Sequence, residues 1–209
     1  VASITSGSAI LNWTAPGDDG SQGTAFRYDL RYSSQLITDD NWQYAETASS
    51  LPDPQSAGSA ETATITGLDA GTTYYFAIKT KDDSWQESAL SDMATATTQI
   101  PRLTWSKLRV YWASWADYQN RHLSIDYRIG NAGTGVAVQP TVQASLCMPD
   151  TVYTVTPLPF LTGDIQQGAN RTVTLNYYVP SNVGNFTTAT YVTCKDDAGI
   201  YYWFPGPMP

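Results

Sequence analysis

The feature that most constrains this chain is a period of two. Short stretches alternate apolar and polar residues and end in Gly, Pro or Asp turns, and no sustained apolar pattern at helical spacing interrupts them. In the first half the alternation predicts strands over residues 9–13, 27–33, 42–46, 62–66, 74–80 and 93–98. Turn chemistry separates them at Pro16-Gly17-Asp18-Asp19-Gly20, Leu51-Pro52-Asp53-Pro54 and Asp69-Ala70-Gly71. In the second half Leu108, Val110 and Trp112 alternate, then Leu123, Ile125, Tyr127 and Ile129, then Val138, Val142, Ala144 and Leu146. Val173, Leu175 and Tyr177 follow, and then residues 191–194 and 200–204. Six or seven short strands per ~100 residues predict an all-β fold of two tandem β-sandwich domains.

The chain's 209 residues hold two such bodies, with hydrophobic residues at 42% to fill their cores and charged residues at only 14%. The stretch Thr95-Ala96-Thr97-Thr98-Gln99-Ile100-Pro101 leaves an alternating strand and ends in a proline, which cannot continue a central strand. The boundary is therefore expected near residue 100, giving domains over 1–99 and 100–209 with limited hinge motion between them. Positions 1–100 carry 4 basic and 13 acidic residues, against 7 and 6 in positions 101–209. A net charge of −8 with no cationic run disfavours nucleic acid and anionic membrane surfaces as partners. No stretch of about 18 apolar residues is present, so no membrane insertion is expected. Since no basic-then-apolar leader opens the chain, any secretion signal is expected to have been removed or to lie outside these residues.

Three stretches of the first half carry a family likeness. Val1 to Pro16, with Trp13 as its core tryptophan, resembles strands A and B of a fibronectin type III domain, and Tyr28-Asp29-Leu30-Arg31-Tyr32 resembles strand C. Leu68-Asp69-Ala70-Gly71-Thr72-Thr73-Tyr74-Tyr75-Phe76-Ala77-Ile78 is similar to the family's turn into strand F. The likeness covers residues 1–98. It implies that Trp13, Tyr28, Leu30, Tyr74, Phe76 and Ile78 build the core, and that the Tyr74 hydroxyl bonds backbone a few residues upstream. By alternation Tyr75, Ala77, Lys79 and Lys81 then point outward. The stretch Trp13-Thr14-Ala15-Pro16-Gly17-Asp18-Asp19-Gly20 and the insertion over residues 48–60 resemble the bacterial extracellular form of the family. The likeness starts partway along strand A, which implies either a cut from a longer array or an edge covered by a neighbouring chain.

In the second half, Leu123 to Gly135 runs an alternating strand into the turn Asn131-Ala132-Gly133, and Gly163 to Leu175 places a turn before another strand. Together these resemble the immunoglobulin-like, CARDB-like modules of bacterial surface proteins, which implies a second sandwich without an active site.

Candidate chemistry is sparse. The single histidine, His122, has no Gly-x-Ser-x-Gly elbow near it, and two cysteines 47 residues apart make no zinc finger. Cys147 and Cys194 each close a predicted strand. In an exported protein they form either one disulfide across a loop of about fifty residues or two separate buried thiols. No cofactor is expected apart from calcium, for which Asp18 and Asp19 in one loop and Asp82 and Asp83 in another are the candidates, the two loops sharing a pole of the fold that the likeness implies. No carboxylate pair suits hydrolysis, so the chain is not expected to be an enzyme.

Aromatic residues reach 12% and cluster at Trp105, Tyr111, Trp112, Trp115 and Tyr118 and again at Tyr201, Tyr202, Trp203 and Phe204. More rings are present than one core holds, so Trp112, Trp115, Tyr202 and Trp203 are candidates for a contact with protein or with glycan. The expected function is a non-catalytic extracellular or cell-surface structural module pair of a prokaryotic protein, used for adhesion, spacing or filament assembly. Its partners are other subunits or neighbouring domains. The alternative is the carbohydrate-binding accessory region of a secreted polysaccharide-degrading enzyme.

Overall fold

A computed structural model describes every residue except Asp19 and residues 206–209. Its contacts divide the chain into two compact units, Val1–Gln99 and Ile100–Pro209. Both are all-β.

In the first unit β1 (Ser3–Ile4), β2 (Ser8–Thr14), β3 (Arg27–Ser33), β4 (Glu46–Thr47), β5 (Ala60–Thr66), β6 (Thr73–Lys81) and β7 (Ala94–Thr97) form two antiparallel sheets, β1-β2-β5 and β4-β3-β6-β7. Alternation decides the faces, most plainly in β5, where Glu61, Ala63 and Ile65 point in and the threonines between them point out. Leu11, Leu30, Ile65, Tyr74 and Phe76 fill the space between the sheets, with Trp13 and Ile78 half-buried against them. Tyr28 is buried edge-on to Trp13, at 5.2 Å between ring centres, and its hydroxyl donates to Glu61 Oε1 at 3.2 Å. Burial, with the Glu61 charge adding to it, holds this phenol above its ordinary value. The Tyr74 hydroxyl accepts from the Asp69 amide at 3.1 Å, and Thr98 Oγ1 donates to the Asp69 carbonyl at 2.6 Å, so both polar groups of the turn before β6 are used.

The predicted strand over 42–46 is instead a 3₁₀ turn, Trp42–Tyr44, followed by the two residues of β4. The cause is a second apolar cluster on the outer face of β3 and β6. There Ile37, Trp42 and Ala77 are buried together, Arg31 sits 5.0 Å from the Trp42 ring and Lys79 5.1 Å. Lys79 also reaches Asp39 at 2.9 Å. Ala77 faces outward as alternation requires, but what it meets is tryptophan rather than water.

The second unit comprises β8 (Leu103–Tyr111), the five-residue helix α1 (Trp115–Gln119), β9 (His122–Asn131), β10 (Val138–Met148), β11 (Tyr153–Thr154), β12 (Phe160–Leu161), β13 (Asn170–Tyr178), β14 (Thr187–Lys195) and β15 (Tyr201–Pro205). Two antiparallel four-stranded sheets, β11-β13-β9-β8 and β12-β10-β14-β15, enclose Ile125, Ile129, Val142, Leu175 and Val192. The turn after β9 is built on buried Asn131. Its Nδ2 donates to the carbonyls of Gly135 at 2.7 Å and Ile165 at 3.0 Å, while Oδ1 accepts from the amides of Gly133 and Arg102. Gly133 is required there, because a Cβ would lie 2.3 Å from the Ile100 carbonyl oxygen.

One feature of β10 reverses its expected orientation. The ladder to β14 slips between Val142 and Ala144, so Val142 faces the core opposite Val192, whereas Leu146 pairs with Ala189 on the outer face. A slip of one residue flips every side chain beyond it. Ser145 and Cys147 thereby turn inward. A chain of hydroxyls fills the interior at that end: Tyr127 bonds Thr188 at 3.0 Å and Tyr177 at 3.2 Å, Tyr177 bonds Ser145 at 2.9 Å, and Ser145 bonds Thr190 at 3.2 Å. Burial pushes the Tyr177 phenol well above its ordinary value, so it stays neutral and both gives and takes a hydrogen bond.

The disulfide alternative is corrected by the same ladder. Cys147 and Cys194 are both free thiols on neighbouring strands. Each lies near the end of its own strand, but the strands are antiparallel, so the two ends point opposite ways. Cys147 stands opposite Thr188, six positions along β14 from Cys194. At ~3.3 Å per residue the separation is about 20 Å, far beyond the ~7 Å reach of a disulfide. Burial raises both thiols, Cys194 to about 12.

Two outcomes are expected. Tyr74→Phe, which leaves the Asp69 amide without its acceptor, lowers stability by about 1–2 kcal/mol in urea unfolding. A thiol titration finds two reactive cysteines in guanidinium and an unreactive Cys194 in the native protein at pH 8.

Candidate functional site

The acidic loops of the first unit spend their polar groups locally. Asp82 Oδ1 accepts from the Gln86 amide at 2.8 Å, and Asp83 Oδ1 accepts from Ser84 Oγ at 3.4 Å. Lys81 reaches Glu87 at 2.8 Å. Asp18 and Asp82 line one shallow hollow together with Lys81 and Glu87, while Asp19 lies outside the described residues. Among the described residues no three His, Cys, Asp or Glu side chains converge as a metal ligand set.

The second unit carries three surfaces of different chemistry. The first is a cavity of about 400 Å³ lined by Trp105, Lys107, Val110, Ile125, Tyr127 and Phe186, with the hydroxyls of Thr187 and Thr188 beside them. No carboxylate, imidazole or thiol lines it; its polar groups are the Lys107 amine, the Tyr127 phenol and the hydroxyls of Ser106, Thr187 and Thr188.

The second is the outer face of β12-β10-β14-β15. The register places Leu161, Leu146, Met148, Tyr201 and Trp203 on this one face, exposed at 63, 59, 73, 65 and 68%. Lys195 is the only charged side chain that the register puts there, and its ammonium lies 4.7 Å over the Tyr201 ring. Of the residues expected at a contact, Trp203 belongs to this face. Tyr202 does not: it turns inward, packs against the core and donates its hydroxyl to buried Asp196 at 2.9 Å. Burial and the Asp196 charge push its phenol up to about 12. Leu146, Met148 and Leu161 were not singled out from the sequence, because strict alternation from Val142 assigns Leu146 to the core. The signal is the run Ala144 to Met148, in which Ser145 and Cys147 read equally well as the inward pair.

The third surface is the outer face of β11-β13-β9-β8. Asp126, buried although it faces outward, accepts from Arg109 Nε at 2.6 Å, from Thr174 at 2.7 Å and from Tyr111 at 3.2 Å. Burial acting alone would raise its carboxyl; the hydrogen bonds from Thr174, Arg109 and Tyr111, together with the Arg109 charge, reverse this and hold it below its ordinary value. On this face His122 is half-buried and 6.4 Å from the Tyr178 ring, while the cluster around α1 is anchored by Trp112, which packs against the interior. There Trp112 is half-buried, Trp115 is 71% exposed and Tyr118 stacks on Trp115 at 5.2 Å. Tyr153 and Tyr178, also not foreseen, stack at 5.1 Å; Tyr153 lies in a strand of two residues, and Tyr178 is the outward neighbour of Tyr177 in β13, whose inward residues alone carry the alternation.

A carboxylate with a depressed folded value contributes stability above the unfolded value near 4 and loses it as pH falls through the folded value. Urea midpoints are therefore expected to separate wild type from Asp126→Asn at pH 7 and to converge as pH falls below the ordinary carboxylate range.

The fibronectin type III domain family model matches residues 1–97. Calcium-activated chloride channel regulator 2 from Mus musculus is 34% identical over 108 residues, which cover 44% of this chain and 12% of that protein. The protein of the same name from Homo sapiens is 35% identical over 107 residues, 44% of this chain and 11% of that protein. The chain thus spans only a small part of the length of either relative. Among solved structures, an alpha-L-rhamnosidase from Dictyoglumus thermophilum aligns with 98% of this chain and 29% of its own at 14% identity and a TM-score of 0.25, a likeness too distant to bear on function.

Proposed function

We propose, with residues 1–97 forming a fibronectin type III domain, that this chain is a non-catalytic pair of extracellular modules acting through protein contact. The observation that carries this reading is the apolar outer face of β12-β10-β14-β15. Soluble monomers rarely leave large apolar patches uncovered, and this face exposes Leu146 and Met148 along β10 and, four to eight positions further along the β14 ladder, Tyr201 and Trp203 beside Lys195. Its chemistry suits another subunit or a neighbouring domain of the same protein: nearly uncharged, and aromatic at one edge, where interface anchors are commonly found.

The role is adhesion, spacing or assembly, in a secreted or surface-displayed protein. The Trp13 to Gly20 signature and the CARDB-like strand-and-turn pattern of the second unit support a prokaryotic surface origin. A face that binds a different patch of the next copy builds a filament, whereas a self-complementary one closes a dimer. Among the described residues no helix is long and apolar enough to cross a membrane.

Sedimentation velocity on the full chain tests the reading. Wild type is expected to associate as its concentration rises, and Trp203→Glu to weaken that association at least tenfold, about 1.4 kcal/mol, without changing the melting temperature by more than a few degrees. A wild type that stays monomeric at high concentration and forms no filaments in negative-stain images would sink the assembly role.

A further inference from the structure

The cavity between the two sheets of the second unit has a structural cause. β8 is an edge strand whose alternation sets Trp105 opposite Ile129 and Lys107 opposite Tyr127, on the inner face. The bulge between Lys107 and Arg109 then resets the count: Arg109 pairs with Asp126 on the outer face, and Val110 stands opposite Ile125 on the inner one. Trp105, Lys107 and Val110 are thus turned toward the other sheet, yet Val110 is still 48% exposed. Cover from across is what is missing. β15 pairs with β14 only over residues 191–195, so among the described residues Thr187 and Thr188 have β10 on one side and no strand on the other. There, beside Phe186, the cavity opens.

Its floor is the core itself. Ile125 and Tyr127 are buried, and Trp105 stacks on the Tyr127 ring at 4.7 Å. The Tyr127 phenol and the Thr188 hydroxyl are engaged with each other at 3.0 Å. Lys107, the only charged residue that lines the cavity, has no hydrogen-bond or ion-pair partner among the described residues. An apolar cavity of ~150 Å³ takes a benzene ring, so about 400 Å³ takes a body roughly two to three times as large.

We propose that this cavity binds a small apolar carboxylate, an aryl acid or a medium-chain fatty acid. Its hydrocarbon body lies among Trp105, Val110, Ile125 and Phe186, and its carboxylate meets the Lys107 ammonium at the mouth. Small-molecule sites are concave and mostly apolar, with a few polar groups that fix orientation, and this lining has that composition. Charge selects the head group: an unpaired ammonium beside an apolar wall gains a charge-assisted hydrogen bond from a carboxylate and much less from a neutral ligand. A protein strand is the poorer occupant. Pairing along the free edge of β8 is opposed by its bulge and by exposed Lys107 and Arg109, the devices that keep an edge strand from accepting a neighbour. This site shares no residue with the assembly face and does not depend on it.

Isothermal titration calorimetry of the full chain with naphthoate and with octanoate, each against its own neutral amide, tests the proposal. At least one carboxylate is expected to saturate, about tenfold tighter than its amide, and which one does so separates the aryl from the aliphatic ligand. Lys107→Met is expected to bring the carboxylate down to the affinity of the amide, Val110→Trp to fill the space and abolish both, and Trp203→Glu to change neither. Lys107 and Val110 are exposed on an edge strand, so melting temperatures of these variants should match wild type. Failure of both carboxylates to saturate overturns the site, as does a carboxylate affinity that Lys107→Met leaves unchanged. Binding that survives Val110→Trp, or that is lost in Trp203→Glu, places the ligand elsewhere and also overturns it. Loss of self-association in Val110→Trp without loss of ligand binding assigns the opening to protein contact and sinks the proposal, whereas loss of association in Trp203→Glu alone concerns only the other face.

Discussion

The second of two slips in the ladder between β10 and β14, the one between Val142 and Ala144, governs how the second unit meets water. Before the slip Val142 is interior; after it the inward positions fall to Ser145 and Cys147 and the outward ones to Leu146 and Met148. The polarity of the sheet is thereby inverted over its last turns of pleat. Inverted polarity is tolerable only if the hydroxyls that come inside find partners, because each unpaired one would cost about 1–3 kcal/mol. Tyr127 and Tyr177, reaching across from the other sheet, supply them, and the chain from Thr188 to Thr190 is closed at every link. The aliphatic face outside and the hydroxyl chain inside are thus two results of one backbone irregularity.

The first unit handles its surplus apolar side chains differently. Instead of exposing them it folds the segment around Trp42 back over the outer face of β3 and β6, where Arg31 and Lys79 lie on the indole and cover it with charge. Cations on an aromatic face cost less desolvation than buried ion pairs, which suits a position half open to solvent. The acidic excess of this unit is likewise used in place, in turns and short ion pairs.

Much of the architecture could be read from the residues. Arg27 to Ser33 alternates without interruption and is a strand over that same span; Leu68 to Ile78 identified the corner tyrosine, whose hydroxyl meets the Asp69 amide. What could not be read were the places where alternation is broken by something non-local. Trp42 sits in a stretch with strand-like composition, yet a tertiary partner, the outer face of β6, draws it into a turn. Residues 144–148 alternate on either register, and the choice belongs to β14 across the ladder. The candidate surfaces divide the same way. Trp115 and Trp203 were visible as surplus rings, whereas Tyr202 was drawn inward by Asp196, a partner six residues earlier across the final hairpin. The cysteines show how far strand ends can mislead when strand direction is unknown.

The turn built on Asn131 and Gly133 grips the polypeptide starting at Ile100, whose carbonyl accepts from both Thr134 and Gly135, while the residue before it, Gln99, gives its amide to Thr5. Main-chain allegiance therefore changes across a single peptide linkage, with no spare residues on either side. For a gene that duplicates or shuffles its modules, that linkage is a natural seam: a recombination joint placed there severs no ladder, while one placed a few codons later would strip the second body of the strap that its Asn-x-Gly turn is shaped to hold.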